Sequence, residues 1–104
     1  MIEVVTSATF DSWLHKLKDR RAVARVLIRI DRLAAGNPGD VKPVALGVSE
    51  LRINYGPGYR VYFLREGDRL VLLLTGGDKS TQNADIRAAH TIADTWHRTQ
   101  GAHE

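Results

Sequence analysis

The sequence predicts an α+β fold in a single domain, 1–104, with a small, mainly antiparallel sheet and helices packed on one face. Three observations support this prediction. Apolar residues recur at helical spacing in the first third of the chain. Short segments with period-two alternation, separated by glycine-rich turns, follow in the middle. The last segment returns to helical spacing. A strand, a helical hairpin, a group of strands and a C-terminal helix therefore make up the domain.

The N-terminal third predicts a short strand followed by two helices. Ile2–Val5 is the strand, and Thr6 or Ser7 can cap the helix that comes after it. The apolar positions of that first helix follow the spacing i, i+3, i+4, i+7 and are Phe10, Trp13, Leu14 and Leu17. A second amphipathic helix covers about 20–35, and Gly36 favours its end. The two helices form a hairpin whose apolar side needs a sheet to pack against.

The segment Glu50–Phe63 predicts a β-hairpin around a Gly-Pro-Gly turn, because apolar and polar residues alternate on both sides of 56–58. Val41–Leu46 is a candidate strand before it, at a sheet edge because Pro43 cannot donate a ladder hydrogen bond. A three-residue loop would pair Tyr55 with Tyr59, Ile53 with Val61, and Leu51 with Phe63. The opposite face would then carry Arg52 beside Tyr62 and Asn54 beside Arg60. Arginines and aromatic rings on a rigid sheet suit phosphates and bases.

The next strand, Arg69–Thr75, is expected to continue the sheet. A two-residue turn at Gly67-Asp68 would pair Phe63 with Leu72 and Val61 with Leu74, and would place Thr75 opposite Arg60. This strand is apolar at every position from 70 to 74, so Val71 and Leu73 would point to the open face of the sheet. A bare apolar patch is unfavourable in water, and we expect a partner to cover part of it. Ser80 or Thr81 can cap the last helix.

Composition excludes several classes of function. The chain has no cysteine, which excludes disulfides, thiolate catalysis and cysteine zinc sites and fits a reducing cytoplasm. No apolar run approaches the roughly 18 residues of a membrane span, and no N-terminal apolar segment follows a basic start. The four histidines lack metal-ligand spacing. We therefore expect a cytoplasmic protein without a membrane segment, metal site or cofactor.

Positive charge is concentrated in one part of the chain. The formal net charge is +3. Lysine and arginine crowd the segment 16–32, which has only Asp19 and Asp31 to balance them. Such a segment is either a binding surface for a polyanion or an acidic protein, or a solvated helical face. The charge alone does not choose between them.

Four motifs carry a family resemblance that extends over nearly the whole chain. They are Glu50-Leu51-Arg52, Tyr55-Gly56-Pro57-Gly58-Tyr59-Arg60, Leu72-Leu73-Leu74 and Gly76-Gly77-Asp78-Lys79-Ser80-Thr81-Gln82. Together with Trp13-Leu14 and the loop 36–42, they resemble the addiction-module killer branch of the RelE/ParE toxin superfamily, close to HigB-like toxins. The resemblance implies a RelE-like fold and a type II toxin, held inactive in a hetero-oligomeric complex by a cognate helix-turn-helix antitoxin.

The resemblance leaves more than one activity open. RelE-like members cut messenger RNA in the ribosomal A site, whereas ParE-like members poison DNA gyrase through protein contacts. A third alternative is a catalytically inactive member that binds only the antitoxin. A shared fold does not separate these activities, because each depends on its own site. We take as the first hypothesis a metal-independent, ribosome-dependent mRNA endoribonuclease.

The chemistry of RNA cleavage indicates which residues could carry that activity. RNA supplies its own nucleophile, the 2′-hydroxyl, so the protein must orient the backbone, hold the scissile phosphate and move two protons. By resemblance, Arg60 matches the phosphate-binding arginine and Lys79 a second basic group. Asp78 is either a proton acceptor or a cap residue, and the general base and acid stay unassigned. The candidate RNA-binding residues are Arg52, Asn54 and Tyr62. Arg52 and Arg60 could also be ordinary surface arginines.

Overall fold

The computed structural model describes residues 2–101 and confirms the predicted α+β class. The strands are β1 (Glu3–Thr6), β2 (Val41–Pro43), β3 (Val48–Ile53), β4 (Tyr59–Glu66) and β5 (Leu70–Gly77). The helices are α1 (Ala8–Lys16), α2 (Arg20–Ala34) and α3 (Gln82–Gly101), and a short 3₁₀ turn, Lys79–Thr81, precedes α3. The strands form one sheet in the order β1-β5-β4-β3-β2. β1 is parallel to β5, and the other neighbours are antiparallel.

Local capping residues define the helical hairpin, as the sequence predicts. The Ser7 hydroxyl accepts a hydrogen bond of 3.0 Å from the backbone N–H of Phe10 at the start of α1. The Asp19 carboxylate accepts from Arg21 N at 2.9 Å and so caps α2. α2 ends before Gly36, whose φ of +88° is a conformation that favours glycine. The two helices therefore begin and end where short-range hydrogen bonding places them.

The helical hairpin packs on one face of the sheet and forms the first part of the core. α1 contributes Phe10, and α2 contributes Val26, Ile30 and Leu33. The sheet side of this cluster consists of Leu51, Ile53, Val61, Phe63, Val71 and Leu73. The prediction that Val71 and Leu73 point to an open face was therefore wrong. They are buried under the helical hairpin because the register of β5 differs from the expected one.

α3 packs on the opposite face, so the molecule has three layers. Ala89 and Ala93 of α3 lie against a second buried cluster that contains Val48, Tyr62, Leu64, Leu70, Leu72 and Leu74. The prediction that all helices pack on one face, with a partner over the other, was wrong. β5 is buried on both faces, which explains its continuous apolar run without alternation. The chain itself covers the apolar patch.

The β3–β4 hairpin has a longer loop than predicted. Ile53 pairs with Tyr59 and Leu51 with Val61, so the connection is the five-residue segment 54–58. Gly58 N donates a hydrogen bond of 3.1 Å to Tyr55 O, which makes a turn inside the loop. The shift is two residues, and the same side chains therefore face the core as predicted. The cross-strand neighbours differ: Arg52 lies beside Arg60, and Glu50 beside Tyr62.

The β4–β5 hairpin also departs from the predicted register. Glu66 pairs with Leu70, so three residues rather than two form the turn. This turn places Phe63 opposite Leu73, and a bulge between Tyr62 and Phe63 then shifts the pairing by one more residue. Thr75 consequently lies opposite Tyr62, and Gly77 takes the place beside Arg60 that the sequence assigned to Thr75. This register brings the residues after Gly77 close to Arg60.

Asp78, rather than Ser80 or Thr81, caps the turn that leads into α3. Its Oδ1 accepts a hydrogen bond of 2.8 Å from Ser80 N, and the Thr81 hydroxyl accepts one of 3.4 Å from Asp78 N. This reciprocal arrangement satisfies backbone donors at the start of the helical segment. Within residues 2–101, no helix combines the length and apolar character needed to cross a membrane.

Candidate functional site

Four of the predicted site residues lie together in one cleft. Arg52, Asn54, Arg60 and Lys79 line a cavity of about 440 Å³, with Asp40, Ile53, Gly58 and Tyr59 as its other walls. Arg52 and Arg60 face each other across β3 and β4. Lys79 joins them because Gly77, two residues earlier, is the cross-strand neighbour of Arg60. The sheet register thus assembles residues that are up to 27 positions apart.

Arg60 is held by contacts on two sides of its guanidinium group. Nη1 donates a hydrogen bond of 2.6 Å to the Gly58 carbonyl. Nε lies 3.5 Å from Oε1 of Glu50, and the Arg60 side chain is 12 % exposed. Gly58 permits this arrangement: a methyl group added there would lie 3.2 Å from Arg60 Nη1 and 3.6 Å from Lys79 Cβ. A side chain at position 58 would therefore contact both Arg60 and Lys79.

Glu50 is the site residue that the sequence interpretation missed. Its side chain is 0 % exposed, and its second oxygen, Oε2, accepts a hydrogen bond of 2.8 Å from Gln82 Nε2. The predicted hairpin register hid its role, because that register did not place Glu50 near Arg60. The available signal was a carboxylate in the same period-two series as Arg52, on the face that carries the arginines.

Arg52 has a counter-ion and a fixed backbone. Its Nη2 lies 3.2 Å from Asp40 Oδ1, and both side chains are exposed. Arg29 of α2 donates from Nη1 to the Arg52 carbonyl at 2.6 Å and from Nη2 to the Pro38 carbonyl at 3.0 Å. Two arginines directly across a strand pair repel each other. Each one here has its own carboxylate, which offsets that repulsion.

Asp78 lies just beyond the cleft and stays ionised at neutral pH. Its hydrogen bond with the Ser80 side chain, together with those from the Ser80 and Thr81 backbone, lowers the pKa of Asp78 below its usual 3.8. The positive charge of Arg60 acts in the same direction. The structure gives Asp78 the cap role that the sequence left as an alternative. A role in proton transfer stays a prediction.

Tyr62 does not have the exposed position that its predicted RNA-stacking role requires. The ring is fully buried beneath α3, and no residue of the described chain accepts a well-aligned hydrogen bond from its hydroxyl. Burial, and then the nearby charge of Glu50, raises the pKa of Tyr62 above its usual 10. The prediction of an exposed ring was wrong because it assumed an open sheet face. A buried, protonated phenol cannot contact a base in the cleft.

Another aromatic ring borders the cleft. Tyr59 lines it and makes an edge contact with Trp13, with ring centroids 6.4 Å apart. Tyr55 lies in the hairpin loop, where its hydroxyl donates to Asp19 Oδ2 at 3.1 Å and Arg25 stacks over its ring at 4.6 Å. Both tyrosines pack partly against the helical hairpin, as the sequence predicted. Tyr59 is thus the ring that a ligand in the cleft can reach.

Within the described chain, no cluster of His, Asp and Glu side chains has the geometry to hold a metal ion. Charge at the site is instead arranged around a pair of arginines and one lysine. Guanidinium groups bind two oxygens of a phosphate or carboxylate at once. The cleft is therefore suited to an oxyanion of a ligand.

Comparison with known proteins places this fold and cleft in a family. Residues 12–96 match the family model described as phage derived protein Gp49-like (DUF891). An uncharacterized protein from Haemophilus influenzae is 54 % identical over 92 residues, which cover 88 % of this chain and 93 % of that protein. The matched segment includes the second half of α1, all of α2 and every residue of the cleft. The chain belongs to the phage-derived Gp49-like family, a RelE-like family of toxin–antitoxin systems.

Proposed function

We propose that this protein is the toxin of a type II toxin–antitoxin pair, in the HigB-like branch, and that it cleaves messenger RNA on the ribosome without a metal ion. The observation that carries the proposal is the cleft in which Arg52, Asn54, Arg60 and Lys79 converge. The family supports an antitoxin partner. We take that partner to be a cognate helix-turn-helix protein that forms a hetero-oligomeric complex with the toxin in the cytoplasm.

In the proposed reaction, the 2′-oxygen of one nucleotide attacks the adjacent phosphorus in line with the 5′-oxygen that leaves. The 2′-hydroxyl gives up its proton to a base, the P–O5′ bond breaks, a 2′,3′-cyclic phosphate forms, and the leaving 5′-oxygen takes up a proton from water. Charge develops on the non-bridging phosphate oxygens in the transition state. Arg60 is the group that stabilises this charge, because its guanidinium is fixed and always ionised. Lys79 adds a second positive charge beside it.

The remaining cleft residues position the RNA. Arg52 binds a neighbouring phosphate, and Asn54 offers an amide to a base or a sugar. Tyr59 takes the stacking role that was assigned to Tyr62, because its ring lines the cleft. Asp78, next to Lys79 in the chain, is the candidate proton acceptor, and its lowered pKa makes it a weaker base than an ordinary carboxylate. The open cleft of about 440 Å³ offers few contacts to RNA, which fits a substrate that the ribosome holds in place.

The test is a primer-extension map of cellular transcripts after brief induction of wild type, Arg60→Ala and Arg69→Ala. Arg69→Ala is the matched control, because this exposed arginine lies in the β4–β5 turn at the other end of the strands. We expect new cleavage ends in the reading frame for wild type and the control, and a loss of about 10²–10³ in cleavage rate for Arg60→Ala.

Other results would identify a different activity. Growth arrest without new RNA ends, together with DNA-damage signalling, would contradict the nuclease assignment. It would indicate a gyrase-directed toxin that acts through protein contacts. Absence of any growth arrest, with antitoxin binding retained, would identify a catalytically inactive member. Equal cleavage by wild type and Arg60→Ala would support the nuclease activity but would show that Arg60 is not part of the active site.

A further inference from the structure

Glu50 is a buried carboxylate whose position needs an explanation. It lies in the middle of β3, beneath the start of α3, and its side chain has no solvent exposure. Removing a carboxylate from water is costly, and the attraction of a buried ion pair often fails to repay that cost in stability. A buried pair is therefore weak evidence for a stabilising role. The contacts of Glu50 indicate what else it does.

Glu50 has Tyr62 as its cross-strand neighbour, and each of its oxygens faces one further side chain. Oε1 lies 3.5 Å from Nε of Arg60, and Oε2 accepts a hydrogen bond of 2.8 Å from Nε2 of Gln82. Gln82 is the first residue of α3, so the carboxylate is fixed from the helix as well as from its own strand. Because Glu50 is fully enclosed, it cannot contact a substrate in the cleft. Of its neighbours Arg60, Gln82 and Tyr62, Arg60 is the one that lines the cleft, so Glu50 acts on a ligand there through Arg60.

We propose that Glu50 is a positioning residue that fixes the guanidinium of Arg60 in the cleft, with Gln82 fixing Glu50 in turn. Arginine has several rotatable bonds, and its phosphate contacts depend on orientation. The Glu50 carboxylate attracts the guanidinium from 3.5 Å without a hydrogen bond to Nε, and the Gly58 carbonyl accepts a hydrogen bond from Nη1. Two groups therefore restrain the orientation of the guanidinium. Among the hydrogen bonds of the described residues, none involves Nη2, which is thus available to an oxyanion. The catalytic readout of this proposal rests on the proposed nuclease function.

The first measurement tests the geometry directly and needs no activity. In wild type, the Arg60 Nε–H proton is buried and faces a carboxylate, so its NMR signal should be resolved and should exchange slowly with water. Glu50→Gln keeps the shape of the side chain but removes its charge. We expect the Arg60 signal to shift and its exchange to accelerate at least about tenfold in this variant. Glu3→Gln, on the exposed edge strand β1, is the matched control and should leave the signal unchanged.

The second measurement is a double-mutant cycle on the cleavage of ribosome-bound RNA. We expect Glu50→Gln to lower kcat by about 10- to 100-fold with little change in KM, because misplacing a catalytic group affects the transition state most. The double variant Glu50→Gln/Arg60→Ala should be no slower than Arg60→Ala alone. Gln82→Met removes the amide donor at similar volume and should lower kcat less than Glu50→Gln does. If Glu50→Gln does not fold, the kcat of Gln82→Met tests the proposal in its place.

The outcomes separate this proposal from the proposed function. If wild type does not cleave RNA, the nuclease assignment fails. The double-mutant cycle is then measured on growth arrest, and the NMR signal still tests the contact between Glu50 and Arg60. An unchanged Arg60 signal in folded Glu50→Gln would overturn the proposal. Additive losses of kcat in the cycle would also overturn it, because Glu50 would then act independently of Arg60. A wild-type kcat in both Glu50→Gln and Gln82→Met would overturn it as well, because neither residue would then affect Arg60.

Discussion

At the scale of single residues, Asp78 links folding to pH. Its pKa in the folded chain is lowered from 3.8, first by the Ser80 side chain and then by backbone hydrogen bonds. A lowered pKa means that the ionised carboxylate stabilises the fold at pH values above 3.8. This contribution is lost as the pH falls from 3.8 through the folded-state pKa, because the carboxyl group then binds a proton in both states.

Replacing Asp78 tests this link. We expect Asp78→Ala to lower the free energy of unfolding by about 1 kcal/mol at pH 7, the usual value for loss of an N-cap. The difference in the free energy of unfolding between this variant and wild type should decrease below pH 3.8. Urea unfolding curves measured between pH 7 and pH 2.5 give this difference. Asp78→Asn is the control, because it keeps a cap acceptor without a titrating charge. A constant difference at all pH values would show that the cap works without its charge.

Tyr62 permits a second test at this scale. Its buried hydroxyl has no well-aligned partner within residues 2–101, and such a group carries a desolvation cost. We expect Tyr62→Phe to leave the free energy of unfolding unchanged or to raise it by up to about 1 kcal/mol. Toxicity should also persist, because the ring lies beneath α3 and not in the cleft. A loss of more than about 1.5 kcal/mol, or a loss of toxicity in the folded variant, would contradict this placement.

At the scale of secondary-structure elements, Gly76 controls how α1 approaches the sheet. A methyl group added at Gly76 would clash with the indole ring of Trp13, which packs directly on the β5 backbone. The backbone of Gly76 is not in the left-handed region, so the requirement for glycine is steric. Trp13 in turn contacts Phe10 and Tyr59, with ring centroids 5.8 and 6.4 Å away. The contact therefore extends to the wall of the cleft.

We expect Gly76→Ala to destabilise the fold by about 1–3 kcal/mol, the usual cost of overpacking a core. Thermal unfolding monitored by circular dichroism measures this effect. Trp13→Phe replaces the indole by a smaller ring. The double variant Gly76→Ala/Trp13→Phe should lose less stability than the sum of the losses in the two single variants. Additive costs would show that Trp13 does not pack on this glycine in solution.

The elements differ in how well the sequence predicts them. Ser7, Asp19 and Gly36 act on neighbouring residues, and the helices they bound lie where the sequence places them. The hairpin registers depend on loop conformation and on the bulge at Tyr62, which bring together residues distant in sequence. In the β3–β4 hairpin, a two-residue shift preserves which side faces the core, so the alternation pattern could not reveal the error. In the β4–β5 hairpin, the one-residue shift turns Val71 and Leu73 toward the helical hairpin.

At the scale of the whole molecule, the main departure from the prediction is the position of α3. Period-two alternation indicates that one face of each hairpin strand is apolar, and a helical pattern indicates that α3 has an apolar side. Neither pattern states which face of the sheet that helix covers. The uniform apolar character of β5 is explained by burial on both faces. From the sequence alone, the same apolar run predicts a surface for a partner.

The sequence by itself determined the α+β class and the position of the helical hairpin, because periodicity and capping are short-range properties. Strand alternation indicated Arg52 and Asn54, and the family resemblance indicated Arg60 and Lys79, all of which line the cleft. The tertiary structure decided that Tyr62 is buried and that Glu50 pairs with Arg60. Both depend on strand register and on the placement of α3. Those are set by packing between distant segments, where many weak contacts act together and leave no local signal in the chain.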